Sequence, residues 1–239
     1  MTDRGLEEAI RAADRVNRSR IPAERILTVE TATGIARVIP RLENHQATGV
    51  DGTDLARAQE YALLAALLTR APDKAFLQQL AELRGYPTLL GVAHVGLAEA
   101  AAGAAAGEVE REFFELFIGI GRGELMPYGS YYIAGFLHER PLARLREDLA
   151  ALGIERVEGQ YESEDHAAIL CEIMSGIAGR QFPAPAGADR QMFEKHLAPW
   201  IGRFFTDLER AEAADFYRRV GTLGRVFINI ESEAFALAE

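Results

Sequence analysis

One cysteine, Cys171, stands in the 239 residues, so neither an internal disulfide nor a cysteine-based zinc site can form within the chain. Long apolar runs are missing as well. No stretch reaches the roughly 18 apolar residues of a membrane-spanning helix, and the opening MTDRGLEEAIRAADRV has no apolar signal core, so a cytoplasmic location is expected. The five histidines, at 45, 94, 138, 166 and 196, include no pair three or four apart, which leaves a helical metal site unsignalled. GIGRGE at 119–124 is glycine-rich, but its glycines alternate and it follows a helical pattern rather than a strand, which fits neither a dinucleotide loop nor a Walker loop. No metal or organic cofactor is expected.

Against these absences, 49% of the residues are hydrophobic and 26% charged, the profile of a globular protein long enough to bury a proper core. The net charge of −10 is unevenly spread: residues 1–52 hold eight Arg and eight Asp/Glu, leaving 18 basic against 28 acidic side chains in the remainder. An anionic body argues against nucleic acid, whose phosphates draw on clustered Lys and Arg, and suits a cationic partner.

Periodicity divides the chain at about residue 53. Residues 6–17 predict a short amphipathic helix ended by Ile21-Pro22, and residues 26–40 a small hairpin; we take 1–52 as an N-terminal extension. From Asp54 the pattern is helical: DLARAQEYALLAALLTRAP sets Leu55, Ala58, Tyr61 or Ala62, Ala65 and Leu68 on one face, and helices follow over 74–84, 88–106 and from Val109. Phe113, Phe114 and Phe117 read as core. Residues 119–141 form one long interruption carrying three tyrosines, after which helices are expected over 141–152, 164–179, 188–208 and 211–237. The reading is all-α, with residues 53–239 as a single-domain helical bundle that folds without the extension.

YESEDHAAILC at 161–171 concentrates Glu162, Glu164, Asp165 and His166 before an apolar run. Ser163 suits an N-cap, with Glu164 and Asp165 in the first turn, where the helix dipole favours negative charge. Capping leaves His166 and Glu162 unexplained, so two further readings stand beside it: an acid/base pair of Asp165 and His166, and a binding surface.

FELFIGIGRGELMPYGSYYIAGFLHERPLARLREDLAALGI, followed by YESEDHAAILCEIM, resembles the TorD/DmsD family of redox-enzyme maturation chaperones. The resemblance spans about residues 54–225 and rests on two marks: Pro127-Tyr128-Gly129-Ser130-Tyr131-Tyr132 after the glycine loop, and Glu162 with Glu164-Asp165-His166 about 30 residues on. It implies a cytoplasmic, cofactor-free, non-enzymatic chaperone with a TorD-like all-α fold, in some members a domain-swapped homodimer. Its partner would be a molybdopterin oxidoreductase catalytic subunit, whose twin-arginine leader it holds while the cofactor is inserted and export delayed. By motif, Tyr128, Ser130 and Tyr132 would line a peptide-binding groove with Glu162, Glu164, Asp165 and His166 at its edge. The GRGELMPYGSYY form of the loop is similar to forms associated with formate dehydrogenase. The alternatives are a helical adaptor for a folded oxidoreductase subunit and an enzyme using Asp165 and His166.

Overall fold

The structure is a computed structural model that describes residues 51–155, 162–181 and 183–237. Residues 1–50 lie outside the described residues, and with them the helix expected at 6–17 and the hairpin expected at 26–40. Among the described residues there are ten α-helices and no strand.

Two helices form the centre. α1 (Gly52–Thr69) and α7 (Ala167–Ala178) pack along their lengths, and the Ser175 hydroxyl donates to the Ala58 carbonyl at 2.8 Å. The face expected for α1 is corrected at one position: Leu55 is left 44% exposed, while Leu63, Ala66 and Leu67 join the core, because the second half of the helix is covered on all sides. α7 buries every residue except Glu172, which is half-buried. Its Oε2 finds no partner among the described residues, and burial pushes the carboxyl up to about 7. A raised folded pKa means that the native state binds the proton more tightly, so stability falls as pH rises from the unfolded carboxyl range through about 7. Glu172→Gln is therefore expected to stabilise the protein at pH 8 and to change little at pH 4, as read from urea midpoints at the two pH values.

Around this pair run α2 (Lys74–Leu80), α3 (Leu89–Gly103), α4 (Ala106–Phe113), α5 (Gly129–Ala134), α6 (Arg140–Ala151), α8 (Ala188–Met192), α9 (Ile201–Arg210) and α10 (Phe216–Leu237). Local chemistry fixes several ends. Asp73 accepts from the Phe76 N–H at 2.8 Å and Thr88 from the Gly91 N–H at 3.0 Å, each satisfying a donor that the first turn leaves free. At α10 the cap comes from elsewhere: the Glu112 carboxylate of α4 takes the N–H groups of Asp215, Phe216 and Tyr217. Two helices widen by one residue per turn, α4 into Phe114–Ile118 and α8 into Phe193–Leu197; each widened turn closes on a bond five residues back, Gly119 N to Phe114 O and Ala198 N to Phe193 O.

The helix expected over 188–208 is thus broken. Pro199 has no N–H to continue the ladder, and Trp200 leaves helical geometry before α9 begins. The long interruption at 119–141 likewise contains a helix, α5, and α10 begins at Phe216 rather than 211. α9 and α10 approach closely at Gly224, where a Cβ would sit 2.3 Å from the Phe205 ring. No single described helix is long and apolar enough to cross a membrane; α3 followed by Ala106–Ile118 passes only as a pair bent by 115°.

The domain boundary is open to a direct test. A chain shortened to begin at Val50 is expected to keep its helical circular dichroism and a single cooperative melt, since the helical pattern of the sequence begins afresh at Asp54. A broad, non-cooperative melt would mean that the first 49 residues complete that core.

Candidate peptide-binding site

The two sequence marks meet in space. Residues 127–129 and 165–167 lie antiparallel: the Gly129 N–H donates to the Asp165 carbonyl at 2.9 Å, the Ala167 N–H to the Pro127 carbonyl at 2.8 Å, and Tyr128 faces His166 across this single bridge. Their rings meet edge to face at 5.0 Å. This pairing explains why Ser163 is not the N-cap expected from the sequence. Ser163 to His166 close a turn, the His166 N–H donating to the Ser163 carbonyl at 3.0 Å, and the bridge to Tyr128 holds His166 extended, so α7 starts at Ala167 with His166 as its cap, Nδ1 accepting from the Ala168 N–H at 3.1 Å.

Asp165 is 3% exposed, and both carboxylate oxygens are engaged. Oδ2 accepts from the Ser130 N–H at 2.7 Å, capping α5 from across the bridge, and Oδ1 accepts from the Ser163 hydroxyl at 2.6 Å. Ser130 is fully buried, and its hydroxyl accepts from the His138 N–H at 3.2 Å, tying down the turn that follows α5, where Gly135 takes a left-handed conformation. Gly129 is tightly packed: a Cβ would lie 3.1 Å from the Trp200 indole nitrogen, so the ring would have to give way to it. Glu162 Oε1 accepts from the Tyr128 hydroxyl at 2.9 Å and the Ser163 N–H at 3.0 Å.

The electrostatics follow from burial. Desolvation lowers the His166 pKa, with the charges of Glu162 and Asp165 opposing it. An Nδ1 that accepts from a backbone amide leaves the neutral ring's proton on Nε2. Desolvation also raises the Tyr128 phenol, and the Glu162 carboxylate adds to the shift. Asp165 and His166 share no side-chain hydrogen bond, so the pair lacks the geometry of an acid/base dyad.

Of the seven residues singled out by the sequence, the structure thus gathers Tyr128, Ser130, Glu162, Asp165 and His166. It separates Tyr132 and Glu164. Tyr132 points its hydroxyl to Asp207 at 3.0 Å, packs on Trp200 and Phe204, and lies under the Arg203 guanidinium. Glu164 pairs with Arg146 of α6 at 2.8 Å.

Beside the cluster opens a cavity of about 500 Å³, between α5, α6 and the widened turn after α8. Ile133, Leu145, Leu170 and Pro199 supply apolar walls, Asp165 reaches its edge, and Arg144, Glu147, Asp148 and Lys195 supply charge. Asp148 bonds His196 Nε2 at 2.7 Å and Lys195 at 3.2 Å, and the His196 contact, foremost among these, holds its carboxyl below the usual range. Sequence reasoning missed Asp148 and His196: they are 48 residues apart, and neither sits in a motif. Among the described residues no group of three His, Cys, Asp or Glu side chains is arranged to hold a metal ion.

Residues 83–206, just over half of the chain, match the family model described as the nitrate reductase delta subunit. The chain belongs to the nitrate reductase delta subunit family. The family match spans the whole bridged cluster and the cavity. Among curated relatives, the chaperone protein TorD of Vibrio cholerae is 27% identical over 130 residues, covering 51% of this chain and 59% of that protein. TorD of Vibrio atlanticus is 22% identical over 139 residues, 54% and 65% of the respective chains. The chain therefore matches less than two thirds of the length of these relatives. A solved structure, that of a candidate redox enzyme maturation protein from Archaeoglobus fulgidus, is similar over 82% of this chain and 99% of that one, with 20% identity and a TM-score of 0.44.

Proposed function

We propose that this member of the delta subunit family is a maturation chaperone, not an enzyme, for the catalytic subunit of a molybdopterin oxidoreductase, and that it holds the subunit's twin-arginine leader in the cytoplasm until the cofactor is inserted. The observation that carries the reading is the family match over 83–206, which takes in both marks of the site; curated relatives that match about half of the chain are named TorD chaperones. The cavity supports it chemically. A leader offers arginines followed by an apolar stretch, and Ile133, Leu145 and Leu170 beside Glu147 and Asp148 suit both. Asp165 enters this reading as the brace of the loop rather than as an arginine ligand, because both its oxygens are already engaged inside the protein.

The test starts by pulling the full chain down from its native host to identify the co-purifying oxidoreductase, formate dehydrogenase being the first candidate. Calorimetric titration with that enzyme's leader peptide then follows. Binding is expected, weakened about tenfold by Glu147→Gln through loss of one partly screened charge contact. Equal affinity for the mature subunit with its leader removed would replace this reading with that of an adaptor for a folded surface.

A further inference from the structure

α3 is apolar nearly all round: in LLGVAHVGLAEAAAG only His94 and Glu99 are polar. A helix at a protein surface ordinarily presents a charged face to water. One side of α3 is covered by α10 and α2, with Ala93, Leu97, Ala98 and Ala101 buried. The other side is bare, with Leu89 79% and Val92 66% exposed, and Tyr86 just ahead of the helix 61% exposed. Helical spacing sets Leu89, Val92, Gly96, Glu99 and Gly103 in one row. The second half of that row opens into a groove of about 400 Å³, floored by Gly96, Ala100 and Gly103. Large apolar side chains thus lead into a hollow floored by small ones and walled by Glu99, Glu108, Glu112, Asp215 and Arg219.

The charges on this face are ordered. Arg84 stands at its start and Glu99 towards its end, both exposed and neither with a hydrogen-bond or ion-pair partner among the described residues. Gly85 lies so tightly on Gly91 that neither has room for a Cβ, which draws the Arg84 segment alongside the first turns of α3.

We propose that this face is a homodimer interface, on which the α3 helices of two copies lie antiparallel about a two-fold axis near Val95. Antiparallel pairing drops Leu89 of each copy into the small-residue groove of the other, over Ala100 and Gly103. The same register brings Arg84 of one copy opposite Glu99 of its partner, twice per dimer, as an isologous interface requires. A parallel arrangement would set Glu99 against Glu99. An anionic membrane surface is repelled by the carboxylates of Glu99, Glu108, Glu112 and Asp215 around the groove, which outnumber the cation Arg219 there. The helices pair side by side, so no segment needs to be exchanged between copies, and the cavity beside Asp165 takes no part.

Sedimentation equilibrium of the full chain tests the proposal. The weight-average mass is expected to climb from 26.2 kDa towards twice that value as concentration rises. Val92→Glu, at an exposed position and checked for folding by circular dichroism, is expected to keep the protein monomeric at about 100 µM, since it buries two unpaired carboxylates in the interface. Arg84→Glu and Glu99→Arg should each weaken the dimer about tenfold, and the two together should restore it, because the swap exchanges the charges without changing the pairing. Val95→Cys should crosslink to itself on oxidation, while native Cys171, fully buried and with its thiol pushed up to about 12, stays unreactive. A parent chain that remains at 26.2 kDa at about 100 µM, a dimer that survives Val92→Glu, or a double swap that fails to restore association would each overturn the proposal.

Discussion

Replacing Arg57 with methionine is expected to cost about 3–5 kcal/mol of folding stability, the largest effect we foresee from a single substitution. The guanidinium forks onto Glu231, Nε to Oε1 at 2.8 Å and Nη2 to Oε2 at 2.9 Å, while Nη1 reaches Asp189 at 2.9 Å and Asp54 at 3.1 Å. It also lies over the Phe235 ring at 4.9 Å. Glu231 is 1% exposed, so without Arg57 its charge would be left in the core with only the Tyr61 hydroxyl, at 3.0 Å, to hold it. The cost is that of the stranded carboxylate rather than of the lost contact alone. Arg57→Met combined with Glu231→Leu should therefore recover most of the loss, since removing both charges removes the desolvation penalty with them. Urea denaturation of the parent, the single variant and the double variant measures all three. A double variant no more stable than Arg57→Met would mean that the stranded Glu231 carboxylate is not the source of the loss.

Asp165→Ala is expected to cost about 3 kcal/mol, because it removes two hydrogen bonds to a buried carboxylate and leaves the Ser130 N–H without a partner inside the protein. The damage should be local in its dynamics. Exchange of the Ser130 amide should quicken as α5 loses its cap, whereas amides along α10 should be slowed as in the parent. Asp165→Asn should cost about 1 kcal/mol, since its amide oxygen can still accept from one donor while the Ser163 hydroxyl turns to accept from its NH₂ group. Leader affinity measured on the Asn variant then separates two roles: a small loss fits a brace, and a loss of about a hundredfold would make Asp165 a direct arginine ligand. A stability loss under about 0.5 kcal/mol for Asp165→Ala would show that the carboxylate does not hold the loop.

The seven site residues were chosen from motif and spacing, and the outcome differs by kind. Pairing of the 127–129 segment with the 165–167 segment brings together Tyr128, Ser130, Glu162, Asp165 and His166. The roles inside the cluster were not legible. Ser163 has every local attribute of an N-cap, yet Ser163 to His166 close a turn and the bridge holds His166 extended, which hands the cap to His166. Tyr132 follows Tyr128 by four residues, but Tyr128 is in extended backbone, so helical spacing does not carry from one to the other and their side chains find different partners.

From the sequence alone came the all-α class, most helix positions, the start of a long interruption at Gly119, the anionic body and the two marks that point to a family; that the interruption holds α5 did not. These are local properties, set by the 3.6-residue repeat, by capping residues and by prolines, and a linear reading recovers them. The tertiary structure alone decided which charges are buried and what they hold: Arg57 on Glu231 across 174 residues, Glu112 capping a helix more than 100 residues away, Asp148 on His196 across 48. It also decided that α3 keeps one apolar side uncovered. Each of these depends on which surfaces meet when the helices pack, and packing brings together residues whose separation along the chain carries no periodic signal.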